Sequence, residues 1–261
     1  MFSRGKLEGF DPGAVEIGFR EKQTGLERID PKLRTARETS NHALLAAAKT
    51  GIAEYLLAQS ENAVMDRRNQ GKRYVIFSIG DCFVKVLVSE GRYAVFAPNR
   101  TELERILSGH ALEHAAISHY FSGSVPDTLF FGSTIEFEAD NKCSQAMRSN
   151  PFIAQDGVRE PKTITEAAAG PIAEMDQFRR SLVQLLNSFV DMGDQIGLVP
   201  DISQLGHQNL LVDPTGHIWV VDTNTLVTPD AYSRLGFNFI KKVERLISQL
   251  DRGQMRGNPQ G

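Results

Sequence analysis

Residues 209–222, NLLVDPTGHIWVVD, leave a folding chain few choices. Two apolar runs are joined by DPTG, which offers proline at the second turn position and glycine at the fourth, and that pattern predicts a β-hairpin. With Asp213 opposite Ile218, the ladder carries Asn209 opposite Asp222, on one face at the open end and about 5 Å apart. Polar residues at that place have two readings. They can surface an otherwise apolar hairpin, or an amide oxygen and a carboxylate together can take a hard cation such as Mg²⁺, which accepts a few protein oxygens and leaves its other positions to water and phosphate.

The rest of the chain supplies context. Its 261 residues, 41% hydrophobic, are enough for one large domain or for two small lobes plus an extension. Net charge is −3 with Lys and Arg dispersed, which argues against nucleic acid as the main partner. Two cysteines, Cys82 and Cys143, form neither a disulfide framework nor a zinc pair, which fits a reducing compartment and a cytoplasmic location. No apolar run is long enough for a membrane span and no leader is evident, although delivery into another cell as an effector would leave no such mark.

Residues 1 to about 35 read as a poorly ordered lead-in, and NHALLAAAKTGIAEYLLAQ (41–59) as one amphipathic packing helix. RYVIFSIGDCFVKVLVSEGRYAVFAP predicts three consecutive antiparallel strands. A helix over 99–121 follows, divided at Gly109, and then two strands in DTLFFGSTIEFE and NPFIAQDGV. PIAEMDQFRRSLVQLLNSFVDMG predicts a long helix with Phe178, Leu182, Leu185, Phe189 and Met192 inward and Gly193 at its end. After the hairpin, a last helix turns Leu235, Phe239, Val243, Leu246 and Leu250 inward, and the tail from Asp251 frays. His110 and His114, at i and i+4 with His119 nearby, have the spacing of a zinc grip. No further ligands support one, so solvated or hydrogen-bonded histidines are the preferred reading.

This order of elements, ending in an Asp-containing loop that runs into the hairpin, resembles the protein-kinase-like fold, including its aminoglycoside-phosphotransferase type. NLLVDPTGHIWVVD matches that family's stretch from the metal-binding Asn to the Asp of D-F-G without a gap. The resemblance covers roughly 72–250. It implies an α+β, two-lobed fold with a five-stranded antiparallel N-lobe over 71–158 and a short, mainly helical C-lobe over 159–252. Residues 1–70 form an extension with one helix, and 253–261 a disordered tail.

Carried over residue by residue, the resemblance implies ATP and Mg²⁺ as cofactors, with Asn209 and Asp222 as metal ligands. The family's catalytic Asp precedes its Asn by five residues, where this chain has Gln204. Counted forward from the long helix, the same role falls on Asp201, which implies a three-residue insertion in the loop. Val199 and Pro200 replace the usual His-Arg, and DTN replaces D-F-G. Gly80, in SIGDCF, takes the place of the Gly-rich loop. Phe96, in YAVFAP, stands where the third-strand Lys belongs, so the phosphate-binding charge is assigned to Lys85 on the second strand, with Glu113 as its helix partner and Glu102 and Glu104 as alternatives. Gln155 takes the gatekeeper position, Asp156 and Val158 the adenine-edge backbone, and Val86, Leu211 and Val221 the apolar shelf.

The implied function is transfer of the γ-phosphate of ATP to a hydroxyl of an unidentified protein or small molecule. A pseudokinase acting as a binding scaffold is one alternative, favoured by Phe96 and the altered loop. A nucleotidyl transferase on the same fold is another.

Overall fold

The computed structural model describes residues 25–59, 64–65, 74–87, 100–133, 150–169, 175–202, 205, 209–223, 226–227 and 237–256. They form an α+β protein whose sheets are antiparallel throughout. Two compact units emerge, one from the described residues of 16–112 and 126–157, the other from those of 113–125 and 158–261. Among the described residues no helix is long and apolar enough to cross a membrane.

In the first unit, β1 (Val64–Met65), β2 (Tyr74–Ile79), β3 (Cys82–Leu87), β4 (Thr128–Ser133) and β5 (Asn150–Asp156) form one sheet in the order β1-β2-β3-β5-β4. Among the described residues this sheet includes four of the expected strands and one that was not expected. A two-residue strand at 64–65 occupies its edge, while the expected strand at YAVFAP lies outside the described residues. Alternation along β3 separates the two faces sharply. Val84 and Val86 are fully buried, and Lys85 between them is half-buried.

The buried face, with Phe77, Phe152 and Ala154, packs on Leu26, Leu33, Ala48, Ile52 and Leu56. Those residues come from α1 (Gly25–Ile29), α2 (Lys32–Glu38) and α3 (His42–Ala58). Among the described residues three helices thus stand where one was expected, and α1 and the start of α2 fall inside the supposed lead-in. Helices of five and seven residues are too short to show an apolar stripe, which is why α1 and α2 escape a periodicity reading. A buried charge cluster straps them to the sheet. Arg37 Nη1 donates to Glu27 Oε1 at 3.1 Å and to Asp127 Oδ2 at 2.8 Å, with all three side chains at most 12% exposed.

α4 (Arg100–Tyr120) runs unbroken through Gly109, contrary to the expected division. Its last turns, with Ala116 and Ile117, belong to the core of the second unit. β6 (Lys162–Thr163) leads directly into α5 (Ile164–Ala169), which starts with a reciprocal cap. Thr163 Oγ1 accepts from the Glu166 amide, and Glu166 Oε2 accepts from the Thr163 amide at 2.8 Å. The core also holds the inward residues of α6 (Met175–Ile196), including the five apolar side chains expected there. Phe189 of α6 meets Phe239 of α7 (Phe237–Arg256) with ring centroids 4.5 Å apart. α6 stops before Gly197, whose φ of 66° turns the chain out, and not at Gly193, which is buried within the helix. α7 packs Phe239, Val243, Leu246 and Leu250 against this core as expected, while Leu235 lies outside the described residues. The helix continues to Arg256, past the point at Asp251 where fraying was expected.

Candidate functional site

The hairpin forms, in a register one residue away from that expected. β7 (Val199–Pro200) precedes it, and within it β8 (Leu210–Val212) pairs with β9 (Ile218–Val220) as Val212 to Ile218 and Leu210 to Val220. Asp213 therefore faces His217, whose carbonyl accepts from the Asp213 amide at 3.0 Å. The loop between them has three residues, and Gly216 at φ 82° supplies the left-handed position that such a loop needs. A turn read from Pro and Gly alone does not reveal this bulge. Asp213 ties the loop down. Its Oδ1 accepts from the Thr215 amide, the Thr215 hydroxyl and the His217 amide, and its Oδ2 accepts from Trp219 Nε1 at 3.0 Å. Partial burial pushes this carboxyl up, but the donors outweigh it and hold the pKa below the usual carboxylate value.

The shifted register puts Asn209 opposite Val221, with the Val221 amide donating to the Asn209 carbonyl at 3.0 Å. Asp222 lies one residue past that pair, so the expected direct opposition of Asn209 and Asp222 is corrected. Asn209, Leu211 and Val221 are half-buried, whereas Leu210, Val212, Ile218 and Val220 fill the core.

Three links gather the loop residues. Asn209 Nδ2 donates to the backbone carbonyl of Asp201 at 2.9 Å, which fixes the amide and leaves its oxygen on the other arm of the group. The Asn209 backbone holds Val221, the neighbour of Asp222. Finally β7 pairs with β10 (Leu226–Val227), Pro200 against Leu226, so the segments leading to Asp201 and back to Asp222 leave from the same end of one short ladder. Asp201 and Asp222 are both half-buried. Gln204, at the family's usual spacing, lies outside the described residues.

In the first unit, Lys85 is on the third strand in chain order, because β1 precedes the strands counted from sequence. Its cross-strand partners are Ile76 and Ile153, and alternation points it away from the face covered by α1, α2 and α3. Val86 faces into that helix-packed core, which removes it from any shelf beside Lys85. On α4, Glu104 is exposed in the first unit and Glu113 half-buried in the second. The side chain of Glu102 and the whole of Phe96 lie outside the described residues.

Gly80 forms, with Asp81, the two-residue turn between β2 and β3. It is therefore in the second connection of the sheet and not the first, since β1 comes before it. Gln155 is buried and donates to Thr128 Oγ1 at 3.3 Å. Asp156 is buried too, its amide donating to the Asp127 carbonyl at 2.9 Å, and its ladder partner is Cys82. Burial, then the charges of Asp156 and Asp81, push the Cys82 thiol up to about 12. The next amide, of Gly157, donates to the Asp81 carbonyl at 2.8 Å, and a Cβ on Gly157 would stand 2.6 Å from that oxygen. Only glycine fits so close to a backbone. Val158, half-buried, begins the second unit's portion.

One pairing has no signature in the sequence. Thr223, directly after Asp222, has its hydroxyl 2.8 Å from His114 Nδ1, and His114 Nε2 lies 3.3 Å from the Ser118 hydroxyl. All three side chains are buried. The spacing of His114 and Ser118 places them on one side of α4, but nothing signals a partner 109 residues on. Among the described residues, no group of three or more His, Cys, Asp or Glu side chains could hold a metal ion.

No family model and no curated protein matches the chain. Among solved structures, it is similar to WbdD in a co-crystal structure with the kinase inhibitor LY294002, with 15% identity and a TM-score of 0.33. The match covers 67% of this chain and spans 36% of that one.

Proposed function

We propose that the protein is an ATP- and Mg²⁺-dependent phosphotransferase acting on a hydroxyl. The observation that carries this reading is the hydrogen bond from Asn209 to the Asp201 carbonyl across the lengthened loop. It ties the candidate base to a candidate metal ligand despite the three extra residues. The donor set suits Mg²⁺: one amide oxygen, from Asn209, and one carboxylate, from Asp222, leave most positions to phosphate and water. Bound there, the cation would neutralise phosphate charge. Asp201 accepts the proton of the attacking hydroxyl and orients it. Lys85 supplies the charge for the α and β phosphates. Leu211 and Val221 form the apolar shelf, and the backbone of Asp156 and Val158 meets the adenine edge beside Gln155. Gly80 is left with a turn role.

The scaffold alternative rests on Phe96 at the usual Lys position and on the altered catalytic loop. Lys85, on β3, is the charge that the phosphotransfer reading sets against the first of these.

Thermal melting with ATP and Mg²⁺ tests the reading. The wild type gains about 2.7 kcal/mol at a hundredfold ligand excess over Kd. Asp222→Ala loses the metal-dependent part of that gain and keeps its melting temperature without ligand. A wild type whose melting ignores Mg²⁺ and ATP would sink the proposal. Transfer of label from the γ-phosphate, and none from the α-phosphate, separates phosphotransfer from nucleotidyl transfer.

A further inference from the structure

We infer that His114 is a positioning residue for the metal-holding loop, acting through the Thr223 hydroxyl; this rests on the phosphotransfer reading above. Residues 221–223 belong to no strand, so Asp222 has no ladder of its own to fix it. It is bracketed instead. On one side the Val221 amide donates to the Asn209 carbonyl at 3.0 Å, and on the other Thr223 meets His114 Nδ1 at 2.8 Å.

The buried end of this clasp differs from Asp222 in one respect. Thr223 is 2% and His114 7% exposed, whereas Asp222 is half-buried. A hydrogen bond shielded from water holds its geometry better than one that water contests. His114 stands on a long helix, and Ser118 one turn later engages its second ring nitrogen at 3.3 Å, so the ring cannot turn without losing both contacts. The imidazole is thus a fixed post, and Thr223 hangs the loop from it. Threonine serves where a purely apolar side chain could fill space but offer no hydroxyl.

The test measures ATP affinity of the full chain by calorimetry, with and without saturating Mg²⁺, for the wild type, Thr223→Val, His114→Ala, the double variant and Thr223→Ser. Valine keeps the volume of threonine, so Thr223→Val informs even where His114→Ala fails to fold. The inference expects the gain in affinity from Mg²⁺ to fall about tenfold in each single variant, and no further in the double. Affinity without metal stays the same, and Thr223→Ser restores the gain. An unchanged gain in Thr223→Val, additive losses, or equal losses with and without metal would overturn the inference alone. A wild type with no gain from Mg²⁺ overturns it together with the phosphotransfer reading.

Discussion

The two hairpins that carry candidate site residues are held in different ways. The β2–β3 hairpin turns in two residues and keeps strict alternation, so the position of Lys85 follows from Val84 and Val86 being buried on either side of it. The β8–β9 hairpin turns in three, and its polar residues lie beyond the regular ladder. Asn209 and Asp213 are fixed there by side-chain hydrogen bonds to backbone and ring partners. The first arrangement draws on burial, the second on individual polar contacts. A site residue set by alternation is robust to small changes nearby, whereas one set by a loop depends on each contact.

The largest effect should come from breaking the buried charges that strap the first sheet to its helices. Asp127→Ala leaves the buried Arg37 guanidinium one acceptor short and should cost about 3–5 kcal/mol, read from urea unfolding. On the second hairpin, Asp213→Ala removes the acceptor of four donors and should cost about 2 kcal/mol. Its pH dependence has a definite sign. The folded pKa lies below the unfolded one, so this stabilisation is present above about pH 4 and disappears as pH falls through the folded value. Wild type and Asp213→Ala should therefore converge in stability in acid. The smallest effect belongs to the exposed pair of Arg179 and Asp251, between α6 and α7. Arg179→Ala should leave the urea midpoint unmoved, which would show that burial, and not the presence of an ion pair, makes the Arg37 cluster matter.

Strong periodicity is legible in the sequence. The inward residues of α6 and the paired runs of the hairpin can be read because each repeats over enough residues to exclude the other period. What cannot be read is decided by single residues. The one-residue register shift comes from Gly216 taking a left-handed conformation that the letters DPTG do not reveal. The edge strand Val64–Met65 is missed because two residues have no pattern of their own. For the site, the Asp201 loop can be proposed by counting from both ends, but the bond that ties it to Asn209 is a side-chain contact, to which spacing is blind. For His114 the sequence leaves a solvated and a hydrogen-bonded reading open, and the partner that decides between them is not legible.

The ladder between β7 and β10 has only two pairs, yet the segments bearing Asp201 and Asp222 both leave from one end of it. Val199 and Leu226 of this ladder are themselves part of the buried core, so opening it also disturbs the packing around them. The segments bearing these two carboxylates therefore share one anchor, and a substitution that weakens the pairing of Pro200 with Leu226 acts on both.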